Sequence, residues 1–195
     1  MNSLIIIREE HYGWLRELHA AKHPAMVPIC NKPILEYMVD FIVLMGGKKI
    51  RLVFEEPDGS VEMYFGNGER WGVDIDYGNA RANDTIAGIV EKNSHFADQT
   101  PLMVIDGLLF LHYDKNTEYE ISVEGSGTGF IYESNSGSIS YRTPDGEEQT
   151  TLAKIVPDLP VSTLHSNVNL FRIAMTVLRE EQNRYVIPGF GAEKG

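Results

Sequence analysis

Met26-Val27-Pro28-Ile29-Cys30-Asn31-Lys32-Pro33-Ile34-Leu35-Glu36-Tyr37 is the stretch on which the fold turns. Pro33 lacks an amide hydrogen, so it suits the first turn of a helix, where that donor has no intrahelical partner anyway. Beyond it Ile34, Leu35, Met38, Ile42 and Met45 fall on one helical stripe, and Gly46-Gly47 ends the pattern. Such a helix has to bury its stripe, and the flanking segments supply the surface. Residues 4–7 (LIII) upstream and 50–54 (IRLVF) downstream are short apolar runs of the kind found in strands covered on both faces. The local order is β, loop, α, β.

Further along, residues 61–65 predict a short helix before the Gly66-Asn67-Gly68 turn. Val73, Ile75 and Tyr77 alternate with Asp74 and Asp76 as in a half-exposed strand. Residues 85–93 predict a helix with Ile86, Ile89 and Val90 on one side, and residues 102–105 another buried strand. Alternating β and α elements imply an α/β fold: a mainly parallel sheet with helices on both faces. Beyond residue 114 the segments 120–124, 129–133 and 138–141 alternate between Gly and Ser breaks, which predicts an antiparallel meander at the sheet edge. Ser166 opens a last helix with Val168, Phe171, Met175 and Leu178 at helical spacing. One domain, residues 1–182, and a polar, glycine-bearing tail or linker, 183–195, are expected.

The 195-residue chain carries a formal net charge of -11. That surface repels phosphate backbones, so DNA and RNA are not expected partners. The single cysteine, Cys30, cannot close an internal disulfide, which points to a reducing, cytoplasmic setting. No run approaches the roughly 20 apolar residues of a membrane span, and the start lacks a basic leader.

The MVPICNKPILEY stretch, together with Tyr64-Phe65-Gly66-Asn67-Gly68-Glu69-Arg70-Trp71-Gly72-Val73, resembles the sugar-phosphate nucleotidylyltransferases, which join a nucleoside triphosphate to a sugar 1-phosphate. The resemblance spans roughly residues 4–114. It implies a three-layer, Rossmann-like nucleotidyltransferase fold with a mixed sheet and a small antiparallel extension. It also implies a GxGxR loop after the first strand, whose backbone N–H groups and arginine hold the phosphates, a PKP lysine, and a magnesium-binding Gly-Asp pair.

Here those positions differ. Counted back from Pro33, the loop reads Glu9-Glu10-His11-Tyr12-Gly13-Trp14 and the PKP positions read His23-Pro24-Ala25; Arg8, Arg16 and Lys22 are the nearest cations. A carboxylate about 4 Å from a phosphate oxygen costs about 4 kcal/mol at an effective dielectric near 20. Gly107 is followed by Leu108, which cannot ligate magnesium, so a metal enters only if Asp106 or Asp114 takes over as ligand. The family's Gly-Thr-Ala-Gly turn aligns with Thr85-Ile86-Ala87-Gly88. The expected ligand-binding residues are Glu10, Gly13, Trp14, Thr85, Gly88, Asp106 and Gly107. No catalytic residue, resident metal or cofactor is expected, and Trp14 is expected to fill the former phosphate pocket.

Other constellations are bland. His19 and His23 lack the glutamate of HExxH, His112-Tyr113-Asp114 reads as a capping loop, and Gly125-Ser126-Gly127-Thr128-Gly129 lacks a following lysine and reads as a turn. The expected function is a nucleotidyltransferase-like domain that has lost the standard transfer and serves a structural, regulatory or ligand-sensing role in sugar-nucleotide or polysaccharide biosynthesis. In relatives a segment like residues 184–189 precedes a further domain, so a larger parent chain is expected. The alternatives are an enzyme with a rewired site for a nucleotide sugar or sugar phosphate, and an interaction or homo-oligomerisation module.

Overall fold

The computed structural model describes residues 1–16, 23–96, 100–144 and 152–184. Strand β1 (Asn2–Ile7) is followed by a four-residue helix α1 (Glu9–Tyr12), a 3-10 turn Gly13–Leu15 and a second 3-10 turn Pro24–Met26. The MVPICNKP segment then makes a tight ribbon, β2 (Pro28–Ile29) and β3 (Lys32–Pro33), with both turn residues, Cys30 and Asn31, at positive φ. Helix α2 (Ile34–Leu44) starts at Pro33, which serves as its N-cap, and ends before Gly46 at φ 75°.

Next come β4 (Lys49–Phe54), α3 (Gly59–Phe65), β5 (Asp74–Asn79), α4 (Ile86–Lys92), β6 (Leu102–Asp106) and β7 (Leu109–Leu111). The chain continues through β8 (Glu120–Glu124), β9 (Thr128–Ser134), β10 (Gly137–Arg142), β11 (Leu152–Val156) and β12 (Val161–Thr163) to α5 (Asn167–Arg184). The main sheet has the order β5-β4-β1-β6-β10-β9, with the first four strands parallel and β10 antiparallel to both of its neighbours, β6 and β9.

Strand β1 shows why both faces are covered. Ile5 and Ile7 join the cluster containing α2 residues Leu35 and Met38, while Leu4 and Ile6 join Ile89 and Val90 of α4. All four β1 residues are fully buried. Alternate side chains leave opposite faces of a strand, so an unbroken apolar run needs a helix layer on each side. The three-layer α/β architecture follows.

One sequence expectation is corrected. The three segments after residue 114 do not form one meander: β9 and β10 extend the main sheet, but β8 pairs antiparallel with β11 in a separate two-stranded sheet. Ala153 and Ile155 of β11 are buried, and this second apolar alternation draws β8 away. On α5, the stripe Val168, Phe171, Met175 and Leu178 faces outward, 36–69% exposed, while Ile173 and Val177 are buried. The inward face is thus Ile173 and Val177, displaced around the helix from the more regular stripe. The 183–195 tail lies largely outside the described residues.

In the YFGNGERWGV segment Gly68 takes φ +86°, and an added Cβ would lie 2.5 Å from the Val73 carbonyl oxygen and 2.7 Å from Ile75 Cγ1. Gly72 takes φ +69° with open space around it. Gly68→Ala is therefore expected to destabilise by about 3 kcal/mol and Gly72→Ala by about 1 kcal/mol, strain alone separating from strain plus clash. Urea denaturation of both variants checks the ordering.

Candidate functional site

The chain runs from β1 to β4 and β5 on one side, then returns to place β6 on the other. The carboxyl ends of β1 and β6 therefore diverge into a crevice, the place where open α/β sheets receive ligands. Ile6 is in register with Asp106, and Ser138 of β10 is opposite Asp106 on the far side. These three strands bring together residues distant in sequence, and a cavity of about 330 Å³ opens there, lined by Arg8, Glu10, His11, Asp106, Glu133 and Ser138, with Ile86 and Phe130 as its apolar walls.

The charges inside it are mutually engaged. Arg8 Nη2 lies 2.7 Å from Glu10 Oε1 and donates to Asp106 Oδ2 at 3.2 Å and Oδ1 at 3.5 Å. Asp106 and His11 side chains are only 6% and 5% exposed. Burial raises the Asp106 carboxyl above its ordinary range, against the opposing pull of His11 and Arg8. Burial likewise lowers His11, disfavouring the imidazolium against the opposing pull of Asp106. Its Nδ1 accepts the Arg8 backbone N–H at 3.1 Å, closing the amino end of α1.

Gly107, at φ +105°, lets the β6–β7 turn pass under the hairpin: a Cβ there would lie 2.9 Å from the Ser136 carbonyl oxygen. Of the other expected ligand residues, Gly13, Trp14, Thr85 and Gly88 do not line the cavity. Trp14 Nε1 donates to the His11 and Leu164 carbonyls, each at 3.2 Å, so its ring braces α1 against the chain before α5. The Thr85 hydroxyl accepts the Gly88 N–H at 3.1 Å and caps α4. Gly13 has helical φ and open space where a Cβ would go.

At the PKP positions, His23, Pro24 and Ala25 form a buried plug: the His23 ring is 3% exposed, edge-on to Tyr12 and Phe54 at 5.0 and 4.9 Å. Lys22 and His19 lie outside the described residues. Arg16 is tied to Glu9 at 3.0 Å and Glu56 at 2.5 Å on the surface.

The donor set does not fit magnesium, which demands near-octahedral oxygen ligation. Leu108 is 1% exposed in the core, and both Asp106 oxygens are already turned to Arg8. Asp114 accepts from Asn116 within a turn and does not reach the cavity. Among the described residues no group of three or more His, Cys, Asp or Glu side chains could hold a metal ion.

Glu133, Ser138 and Phe130 carry no recognisable signal in the sequence. They enter the site only through the β10–β6 pairing. A second cavity of about 410 Å³ lies between β7 and α5, lined by Lys32, Tyr37, Phe110, His112, Tyr113 and Leu178. There Lys32 pairs with Asp40, both bonded to the Tyr113 hydroxyl, and His112 Nε2 lies 2.8 Å from Ser162 Oγ.

No family model matches the sequence, and no curated protein matches it. Solved structures do. The chain superimposes on a UDP-glucose pyrophosphorylase in complex with UDP-glucose with a TM-score of 0.63 and 11% identity, covering 92% of this chain and 100% of that one. The fold is that of the nucleotidyltransferases. A Bacillus anthracis structure described as a glucose-1-phosphate thymidylyltransferase, solved with sucrose, gives a TM-score of 0.55 at 14% identity over 95% of this chain and 84% of that one. At such identities the likeness establishes the nucleotidyltransferase-like fold alone; activity is a matter for this chain's own residues. Among the described residues no helix is long and apolar enough to cross a membrane.

Proposed function

We propose that this chain is a nucleotidyltransferase-fold domain that does not perform the standard triphosphate-dependent transfer and instead acts as a ligand-sensing or structural module in sugar-nucleotide or polysaccharide biosynthesis. The observation that carries the reading is Arg8: among the described residues, the only arginine or lysine lining the switch-point cavity is neutralised by Asp106 and Glu10. With Glu133 the described lining holds three carboxylates against one guanidinium, a field that opposes a triphosphate. Losing one preorganised charge donor costs on the order of 100- to 1000-fold in rate. This chain lacks the glycine-arginine cradle, and its metal position is a leucine. We assign residues 1–182 to the module, 183–195 to a linker toward a further domain, and the chain to the reducing cytoplasm.

Incubation with UTP or dTTP, glucose 1-phosphate and magnesium is expected to release no pyrophosphate above background. Release that disappears in Asp106→Asn would overturn the proposal in favour of a rewired enzyme acting on a nucleotide sugar or sugar phosphate. A second reading, an association module, is favoured by the exposed α5 strip of Val168, Phe171, Met175 and Leu178. Sedimentation over a concentration series tests it: a monomer at every concentration removes homo-oligomerisation.

A further inference from the structure

We infer that a cavity between α4 and the outer strands β9 and β10 binds a short-chain carboxylate, held by the Arg142 guanidinium with the Thr128 and Thr100 hydroxyls. The inference goes beyond the functional reading above and does not rest on it. Arg142 is in register with Leu102 of β6 on one side and Thr128 of β9 on the other, so the three side chains share one face of the sheet. On that face Leu102 packs with Ile89 and Val90 of α4. Beside them a cavity of about 280 Å³ opens, lined by Val90, Glu91, Thr100, Leu102, Thr128 and Arg142. It lies at the amino end of β6, four residues along β10 from Ser138, which is roughly 13 Å. None of its described lining residues is shared with the switch-point cavity.

Arg142 is half-buried, and among the described residues no ion pair or hydrogen bond engages its guanidinium; Nε is fully buried without a partner. The other arginines differ. Arg8, Arg16 and Arg51 each meet a carboxylate, Arg70 lies over the Trp71 ring at 4.9 Å, and Arg81, Arg172 and Arg179 are exposed. Burial with no carboxylate beside it holds Arg142 below the ordinary arginine value. A water can take an N–H but cannot neutralise the charge, whereas an anion does both. The parallel N–H groups of a guanidinium match a carboxylate. A phosphate dianion would keep half its charge uncompensated and face Glu91 on the same wall. The Thr100 and Thr128 hydroxyls make no hydrogen bond among the described residues and can donate to carboxylate oxygens, while Thr143 Oγ1 accepts the Gly127 N–H at 2.8 Å and fixes the rim. Val90, Leu102 and Pro144 make the opposing wall apolar, and a volume below the usual range for ligand sites restricts the guest to a short aliphatic acid.

The test is a titration of the whole chain at constant ionic strength with acetate, propanoate and lactate, and separately with inorganic phosphate, followed by calorimetry and by Tm. At least one carboxylate is expected to bind saturably at one site and to raise Tm. Arg142→Gln should weaken that binding about tenfold or more, as expected for lost hydrogen bonds to a charged group. Arg142→Lys, which keeps the charge without the fork, should fall between, and Thr128→Val should weaken binding less than Arg142→Gln does. Because Arg142→Gln removes an uncompensated charge, its own Tm is expected to equal or exceed that of the wild type. Four outcomes overturn the inference: no saturable binding of any of the three acids, binding indifferent to Arg142→Gln, phosphate binding more tightly than every carboxylate, or a Tm lower by about 5 °C or more in Arg142→Gln, which would show the guanidinium already compensated within the fold. Pyrophosphate release reports on the other cavity, so failure of the carboxylate site leaves the loss of transfer standing.

Discussion

Arg8→Met is expected to destabilise the fold by about 3–5 kcal/mol, the cost of leaving a buried charge without its partner. For a chain of this size that is a fall of roughly 10 °C in Tm. Asp106 is 6% exposed and its charge is held by Arg8 at 3.2 Å. Methionine keeps much of the side-chain volume and removes the guanidinium, so packing loss stays small and the electrostatic loss dominates. The carboxyl can escape only by taking a proton, which burial already favours. Without Arg8 its folded pKa rises further above the unfolded one, so the folded state binds the extra proton and stability falls as pH rises through that window. The deficit of Arg8→Met is thus expected to shrink toward acid pH. Arg8→Met/Asp106→Asn should regain much of the loss, and a double-mutant cycle in urea measures the coupling. Additive losses from the two single variants would show that the pair does not hold the site together.

Acid is expected to unfold the wild-type chain earlier than its carboxylates alone would dictate. Burial holds His11, His23 and His112 below the ordinary histidine value of 6.5. Between each lowered folded value and 6.5 the unfolded chain binds the additional proton. Stability is therefore fully present above about pH 6.5 and is lost as pH falls toward the folded values, by about 1.4 kcal/mol per pH unit for each histidine in its window. Asp106 works in the opposite sense at lower pH, since its folded value is raised. His23 is the most telling of the three: Nδ1 accepts the Ala25 N–H at 3.1 Å, and Nε2 is buried without a partner. Asp58 and Glu56 favour its protonation and Arg16 opposes it, but desolvation is the largest influence. Urea midpoints between pH 8 and pH 5 should decline in the wild type and decline less steeply in His23→Gln. An unchanged slope in that variant would show that His23 titrates as it does when unfolded.

The four-stranded parallel core and its helices were legible because their signals are local. LIII at residues 4–7 and the stripe from Ile34 to Ile42 are periodic patterns with one physical meaning each, burial on two faces and burial on one. The β8–β11 pairing was not legible, since β11 competes with β9 for β8 across a long separation and nothing near residues 120–124 decides the winner. The orientation of α5 was not legible for a related reason. Val168, Phe171, Met175 and Leu178 have ideal spacing, yet spacing does not say which face meets the core; the burial of Ile173 and Val177 does.

The sequence by itself determined the α/β class, the helix after Pro33, and the presence of acids and a histidine after the first strand and a leucine after Gly107, because these depend on residue identity and short-range periodicity. Only the tertiary structure decided what those residues do. It turned Asp106 into the cavity beside Arg8 and His11, sent Trp14 away to Leu164, and delivered Glu133, Phe130 and Ser138 from a hairpin. The physical reason is range: periodicity is settled by the next turn of chain, whereas a charge is compensated by whatever the strand order places beside it, here a residue 98 positions away.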